Sequence, residues 1–141
     1  MRVLALDVGS SSVKAAVLRS AAAPRVVRSA FATVYDGTRA EVDPAEVLRA
    51  VSEAIRSLGE SARRADVIAL GVMSPSWVAM DRRGVPLTRI VIHQDRRSVE
   101  EAREIERRVG RARHLRIAGN RPFPGGISST TLAWHLRHEP A

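Results

Sequence analysis

Leu4-Ala5-Leu6-Asp7-Val8-Gly9-Ser10-Ser11-Ser12-Val13-Lys14 is the stretch whose reading sets the fold. An aliphatic run ends on an acid, passes a glycine and three serines, and resumes as Val13 to Leu18. Short apolar runs bounded by Gly and Ser read as buried strands entering a turn. So tight a connection suits an antiparallel hairpin, because a crossover to a parallel neighbour takes about a dozen residues or more. Arg25 to Val34, with Val26, Val27 and Phe31, continues as a third strand paired with the second. An antiparallel three-strand meander therefore opens the chain.

Further along, Asp43-Pro44-Ala45-Glu46 predicts a helix start. Asp43 caps free amides, Pro44 suits the first helical position, and Glu46 stands where a capping-box acid reaches back. Val47, Val51, Ile55 and Leu58 share one face, and Gly59 offers a stop. Val67 to Met73 is apolar enough to be a strand buried on both faces, as a central parallel strand is. Trp77 to Met80 and Arg89 to His93 read as short strands on either side of the Asp81-Arg82-Arg83-Gly84 turn. Ser98 with Glu101 repeats the capping-box pattern ahead of Val99, Ala102, Ile105 and Val109. Asn120 to Gly126 is a Pro/Gly loop, and Ser128 to Leu136 is a final helix. Strands alternating with helices make the class α/β.

With 141 residues, 45% of them hydrophobic, the chain is sized for one compact domain around a single core. The absence of cysteine excludes disulfides, a thiolate nucleophile and a cysteine zinc site. The longest apolar runs fall far short of the roughly 20 residues of a membrane span, and Asp7 interrupts any signal-peptide core. A cytoplasmic protein is expected. The net charge of +8 comes from arginine, Lys14 being the only lysine. From Glu100 to Arg108 arginines alternate with glutamates, as on a solvated helix face, and Arg107 to Arg116 lacks an aromatic stacking platform. Nucleic acid is not an expected partner. His93, His114, His135 and His138 show no metal-ligand spacing and read as ordinary polar residues.

The chemistry concentrates at residues 7 to 14. Gly9 supplies the positive φ of a sharp turn and close backbone approach to an anion, and successive amides in such a turn form an anion-binding concavity. Ser10, Ser11 and Ser12 add hydroxyl donors, Lys14 adds a point charge, and Asp7 is suited to a hydrated Mg²⁺ bridging phosphoryl oxygens. There is no Walker loop, and a strand rather than a helix follows, which excludes a dinucleotide fingerprint. An ordinary glycine-serine hairpin accounts for the same residues equally well.

Three segments carry a family resemblance. Leu4 to Lys14 resembles the first phosphate motif, D-x-G-T-S/T-x-x-K/R, of the FGGY carbohydrate kinases, with Ser10 where threonine is common. Ala69 to Leu87 followed by Ile90 to Ser98 resembles the strand, D-x-x-G-x-P-L turn and W-x-D-x-R-S segment of the xylulokinase-like members. Gly119 to Trp134 resembles the glycine/proline loop and the helix that ends in tryptophan. His93 stands where tryptophan is common and Thr131 where lysine is frequent. Met73-Ser74-Pro75-Ser76-Trp77 departs from the family's sugar loop, so the sugar is left open.

The resemblance implies a ribonuclease H-like, actin-like ATPase fold. It also implies transfer of the γ-phosphoryl group of ATP, with Mg²⁺, to a sugar or polyol hydroxyl. Asp7 would associate with the metal, Gly9 to Ser12 would cradle phosphate, and Lys14 would neutralise charge. Ser74, Ser76, Trp77 and Asp95 are the substrate-side candidates, although Trp77 also suits a core position and Asp95 a structural ion pair with Arg96. Residues 1–141 would be an incomplete N-terminal kinase domain, with no catalytic residue assigned because the family's general base lies further along. Activity of this stretch alone is then not expected. Two other readings stand beside it: a non-catalytic binding module whose exposed sheet edge a partner chain covers, and an RNase H-like nuclease. The nuclease would need several carboxylates on two metals, and Asp7 has no evident companions.

Overall fold

The computed structural model describes residues 1–19 and 23–139. In place of the single expected core, the chain forms two compact units: Met1–Thr33 with Val42–Met73, and Val34–Glu41 with Ser74–Ala141.

The first unit is built on β1 (Val3–Val8), β2 (Ser12–Leu18), β3 (Val26–Ala30) and β6 (Val67–Val72), in the spatial order β3-β2-β1-β6. β1, β2 and β3 are the antiparallel meander, and β6 runs parallel to β1 with Val3 opposite Val67 and Val8 opposite Val72. Alternation sends Leu4, Leu6 and Val8 to one face together with Val13, Ala15 and Val17, all buried. Helix α1 (Pro44–Leu58) covers that face where it spans β2 and β3. Its buried stripe is Val47, Ala50, Ala54 and Leu58, with Val51 and Ile55 only half-buried at its margin. The two alanines let the helix approach the sheet closely. Asp43 caps the helix by accepting from the Ala45 amide at 2.8 Å, whereas Glu46 bonds Arg49 instead of reaching back. The short α2 (Glu60–Arg63) leads to β6.

β6 is not the doubly buried strand its composition suggested. It ends the sheet, and Ile68 and Leu70 are each 65% exposed although they share a face with buried Leu4 and Leu6. The reason is reach: α1 lies over β2 and β3 and makes no comparable contact with β6.

The second unit carries β4 (Thr33–Asp36), β5 (Arg39–Val42), β7 (Ser76–Trp77) and β8 (Ile90–Ile92), ordered β4-β5-β8-β7. The long third strand expected from Arg25 to Val34 is thus divided, its end passing into this second sheet. β8 buries Val91 and Ile92 and pairs antiparallel with β7. Beyond Trp77, the expected strand survives only as a bridge between Met80 and Pro86. Helices α3 (Val99–Val109), α4 (Arg111–Ala118) and α5 (Ser128–His138) complete the unit. Ser98 makes no side-chain cap bond, and buried Glu101 turns to α5, where it pairs with Arg137 at 3.3 Å. Arginine and glutamate do pair along α3, as Arg103 with Glu100 at 2.6 Å shows. Among the described residues no helix is long and apolar enough to cross a membrane.

Candidate functional site

Antiparallel register places Asp7 opposite Lys14, on the sheet face away from α1, and Lys14 Nζ donates to Asp7 Oδ2 at 3.1 Å. Both side chains are more than half exposed. The connecting turn is tied down through its carbonyls. Ser12 O accepts from the Gly9 amide at 3.0 Å, Ser11 O from the Phe31 amide at 3.0 Å, and Ser10 O from Thr33 Oγ1 at 2.9 Å. With those oxygens turned into protein, the amides of Ser10 and Ser11 have no partner among the described residues. An anion site requires amides left free while the neighbouring carbonyls are engaged, and this turn meets that condition.

Two expectations about the turn change. Gly9 does not take a positive φ; its importance lies in space, since a Cβ there would stand 3.4 Å from Ser12 O. Its own amide is also spent inside the turn. Ser12 is 4% exposed within β2, paired with Ala30, which leaves Ser10 and Ser11 as the accessible hydroxyls. Asp7 and Lys14 adjoin a cavity of about 390 Å³ floored by Ala5, Ala69 and Gly71. No group of three or more His, Asp or Glu gathers for a metal among the described residues. A lone exposed carboxylate fits Mg²⁺ arriving with phosphates, because that ion keeps most of its waters and takes about one or two carboxylates.

The second unit has its own cleft, about 440 Å³, lined by Ser74, Ser76, His114, Asn120, Ser128 and Ser129. Gly126 sets how closely its walls meet. With φ of 75°, its ideal Cβ would lie 2.7 Å from Ser76 Cα and 2.8 Å from the Pro75 carbonyl oxygen. Only glycine permits that approach, which seats the start of α5 beside Ser74 and Ser76. Ser76 Oγ is buried there with no hydrogen-bond partner among the described residues.

Trp77 and Asp95 lie elsewhere. The half-buried Trp77 ring stacks on His135 of α5 at 4.8 Å, and neither residue lines the cleft. Asp95 has no exposed surface; it accepts from the Ala40 amide at 2.7 Å and from Arg97 Nη2 at 2.7 Å. Its partner is therefore Arg97 and not Arg96, whose amide instead donates to Thr38 O. Arg97 also reaches Glu41 Oε1 at 2.5 Å. Burial works against the guanidinium charge, but Asp95 and Glu41 outweigh it and hold the Arg97 pKa above its ordinary value. Burial pushes the His135 imidazole below its usual range, more than Glu139 beside it restores. Sequence reasoning missed His114, Asn120, Ser128 and Ser129; only the Pro/Gly loop between Asn120 and Gly126 hinted that distant segments meet there.

The sequence pattern of the FGGY family of carbohydrate kinases, N-terminal domain, matches residues 2–141. The chain belongs to this family. FGGY relatives include a xylulose kinase of Streptomyces coelicolor, 34% identical over 140 residues, which cover 98% of this chain and 29% of the relative. A xylulose kinase of Escherichia coli is 29% identical over 97% of the chain and 28% of its own length. Among solved FGGY structures, the xylulose kinase from Rhodospirillum rubrum superposes with a TM-score of 0.87 at 28% identity, covering 99% of this chain and 30% of that one. The actin-like ATPase fold that the resemblance implied is the fold of these kinases, and the meander with β6 parallel to β1 belongs to it. The chain spans under a third of the length of the relatives it matches.

Proposed function

We propose that this chain is the incomplete N-terminal portion of an ATP-dependent carbohydrate kinase, and that each of its two units carries one candidate binding site. In the first, the Ser10 and Ser11 amides and hydroxyls receive phosphate oxygens, Lys14 neutralises their charge, and Asp7 associates with Mg²⁺. The metal, when bound, supplies charge neutralisation on the phosphoryl group. In the second, Ser74 and Ser76 face a sugar or polyol. Xylulose is the first substrate to try, because the curated relatives are xylulose kinases. The reaction is placed in the cytoplasm, where ATP is held.

The observation that carries this reading is the turn of residues 9–12, whose carbonyls are engaged by Gly9, Phe31 and Thr33 while the Ser10 and Ser11 amides have no partner among the described residues, between an acid and a lysine. Phosphoryl transfer is almost entirely positioning and electrostatics, so such a site is inert until the remainder closes over it. The bare apolar strand β6 supports a partner there, a further kinase portion or a separate chain. A binding module with no transfer activity would leave β6 equally bare, and the same assay separates the two.

The test is ADP release by the intact open reading frame with Mg²⁺, ATP and a panel of sugars and polyols. Turnover is expected with D-xylulose or a related pentulose, falling about a thousandfold or more in Asp7→Asn. Binding of ATP with no turnover on any panel member would favour the binding module.

A further inference from the structure

His114 sits on α4, a helix that buries none of its residues, so core packing does not fix its ring. A hydrogen bond does: Nδ1 lies 2.8 Å from the carbonyl oxygen of Asn120. Gly119, in the left-handed region with φ of 71°, ends the helix and turns Asn120 back to make that contact. A carbonyl oxygen only accepts, so in the neutral ring Nδ1 carries the hydrogen and Nε2 presents a bare lone pair. Nε2 has no partner among the described residues.

The cleft that His114 lines is supplied with donors. Ser74, Ser128 and Ser129 bring rotatable hydroxyls, and buried Ser76 Oγ is unpartnered. Ile127 occupies the N-cap of α5 and offers the first-turn amides no side-chain acceptor. A polyhydroxyl ligand needs both partners at each hydroxyl, an acceptor for its hydrogen and a donor for its oxygen. Serine hydroxyls can rotate into either role, whereas the His114 tautomer is held as an acceptor.

We propose that His114 Nε2 accepts a hydrogen bond from a hydroxyl of the sugar held in this cleft, making His114 a substrate-binding residue. The inference rests on the sugar placement given under the proposed function. It adds a contact that the family motifs quoted above do not contain, since His114 falls between them.

D-xylulose titrated into the isotopically labelled chain, followed by backbone amide and imidazole nitrogen resonances, tests both levels. The expected result is a saturable shift of the Ser74, Ser76, Ser128 and Ser129 amides together with the His114 Nε2 resonance. His114→Leu should weaken binding about tenfold, and His114→Gln, which keeps an acceptor oxygen, should recover most of it. Because α4 buries no residue, neither substitution threatens the fold, and an unchanged melting temperature checks this. If the cleft amides shift while Nε2 stays still and His114→Leu binds as tightly as the parent, the His114 contact is overturned and the sugar placement stands. If the cleft amides do not respond to D-xylulose, the placement fails and the inference with it.

Discussion

Asp95 and Asp7 are two carboxylates beside cations, and their surroundings give them opposite consequences. Asp95 has no exposed surface and Arg97 has a side chain only 2% exposed, so removing one charge strands the other in protein. Asp95→Ala should destabilise the second unit by about 3–5 kcal/mol in urea denaturation; a loss under about 1 kcal/mol would mean that Glu41 and Ala40 hold Arg97 unaided. Asp7 and Lys14 are 61% and 53% exposed, and an exposed pair contributes about 1 kcal/mol or less. Asp7→Asn should therefore fold like the parent, which makes it a clean probe of function. At His135 the folded state disfavours the proton, whereas the unfolded chain accepts it near pH 6.5. Stability is thus full above that pH and is lost as pH falls from there through the lowered folded value. Urea midpoints should drop between about pH 7.5 and pH 5.5 by more in the parent than in His135→Phe, and equal drops would assign the slope to other groups.

Elements repeat the contrast between what a pattern specifies and what packing decides. Asp43 caps α1 as its position ahead of Pro44 indicates, and Asp43→Ala should cost about 1 kcal/mol by thermal denaturation, an unchanged melt contradicting the cap. The paired glutamate was not legible: Arg49, three residues on, offers Glu46 two N–H groups where the capping box offers one. Gly126→Ala should lower the melting temperature more than Gly37→Ala, since both are at positive φ but only Gly126 meets backbone atoms. Equal shifts would mean that the loop yields freely. The opening hairpin and α1 were readable because each carries its own periodicity and its own stop. β4 and β5 were not, because four-residue strands with charges at Asp36, Arg39 and Glu41 show no alternation worth the name. The Asp36-Gly37 pair between them, with φ of 55° at the glycine, was the available signal. The cleft was less legible still, since Ser74, His114 and Ser128 are joined only by folding.

For the whole molecule, composition tells that β6 is apolar but not what covers it. The first unit lays α1 over β2 and β3 and leaves Val67 to Val72 uncovered, in a chain that spans 29% of a Streptomyces coelicolor relative. An apolar strand at a sheet edge invites association. The isolated chain should bind an apolar dye and self-associate, and Leu70→Glu should suppress both without lowering the melting temperature, because Leu70 is already 65% exposed. A large loss of stability would show that β6 is covered in solution. The kinase reading depends on one claim, that the turn after β1 receives the polyanionic end of a nucleotide. Titrating Mg²⁺-ATP into the labelled chain while following backbone amides tests it most directly. The account predicts saturable shifts centred on Ser10 and Ser11 that Lys14→Met abolishes; shifts confined to other residues, or unchanged by Lys14→Met, would contradict it.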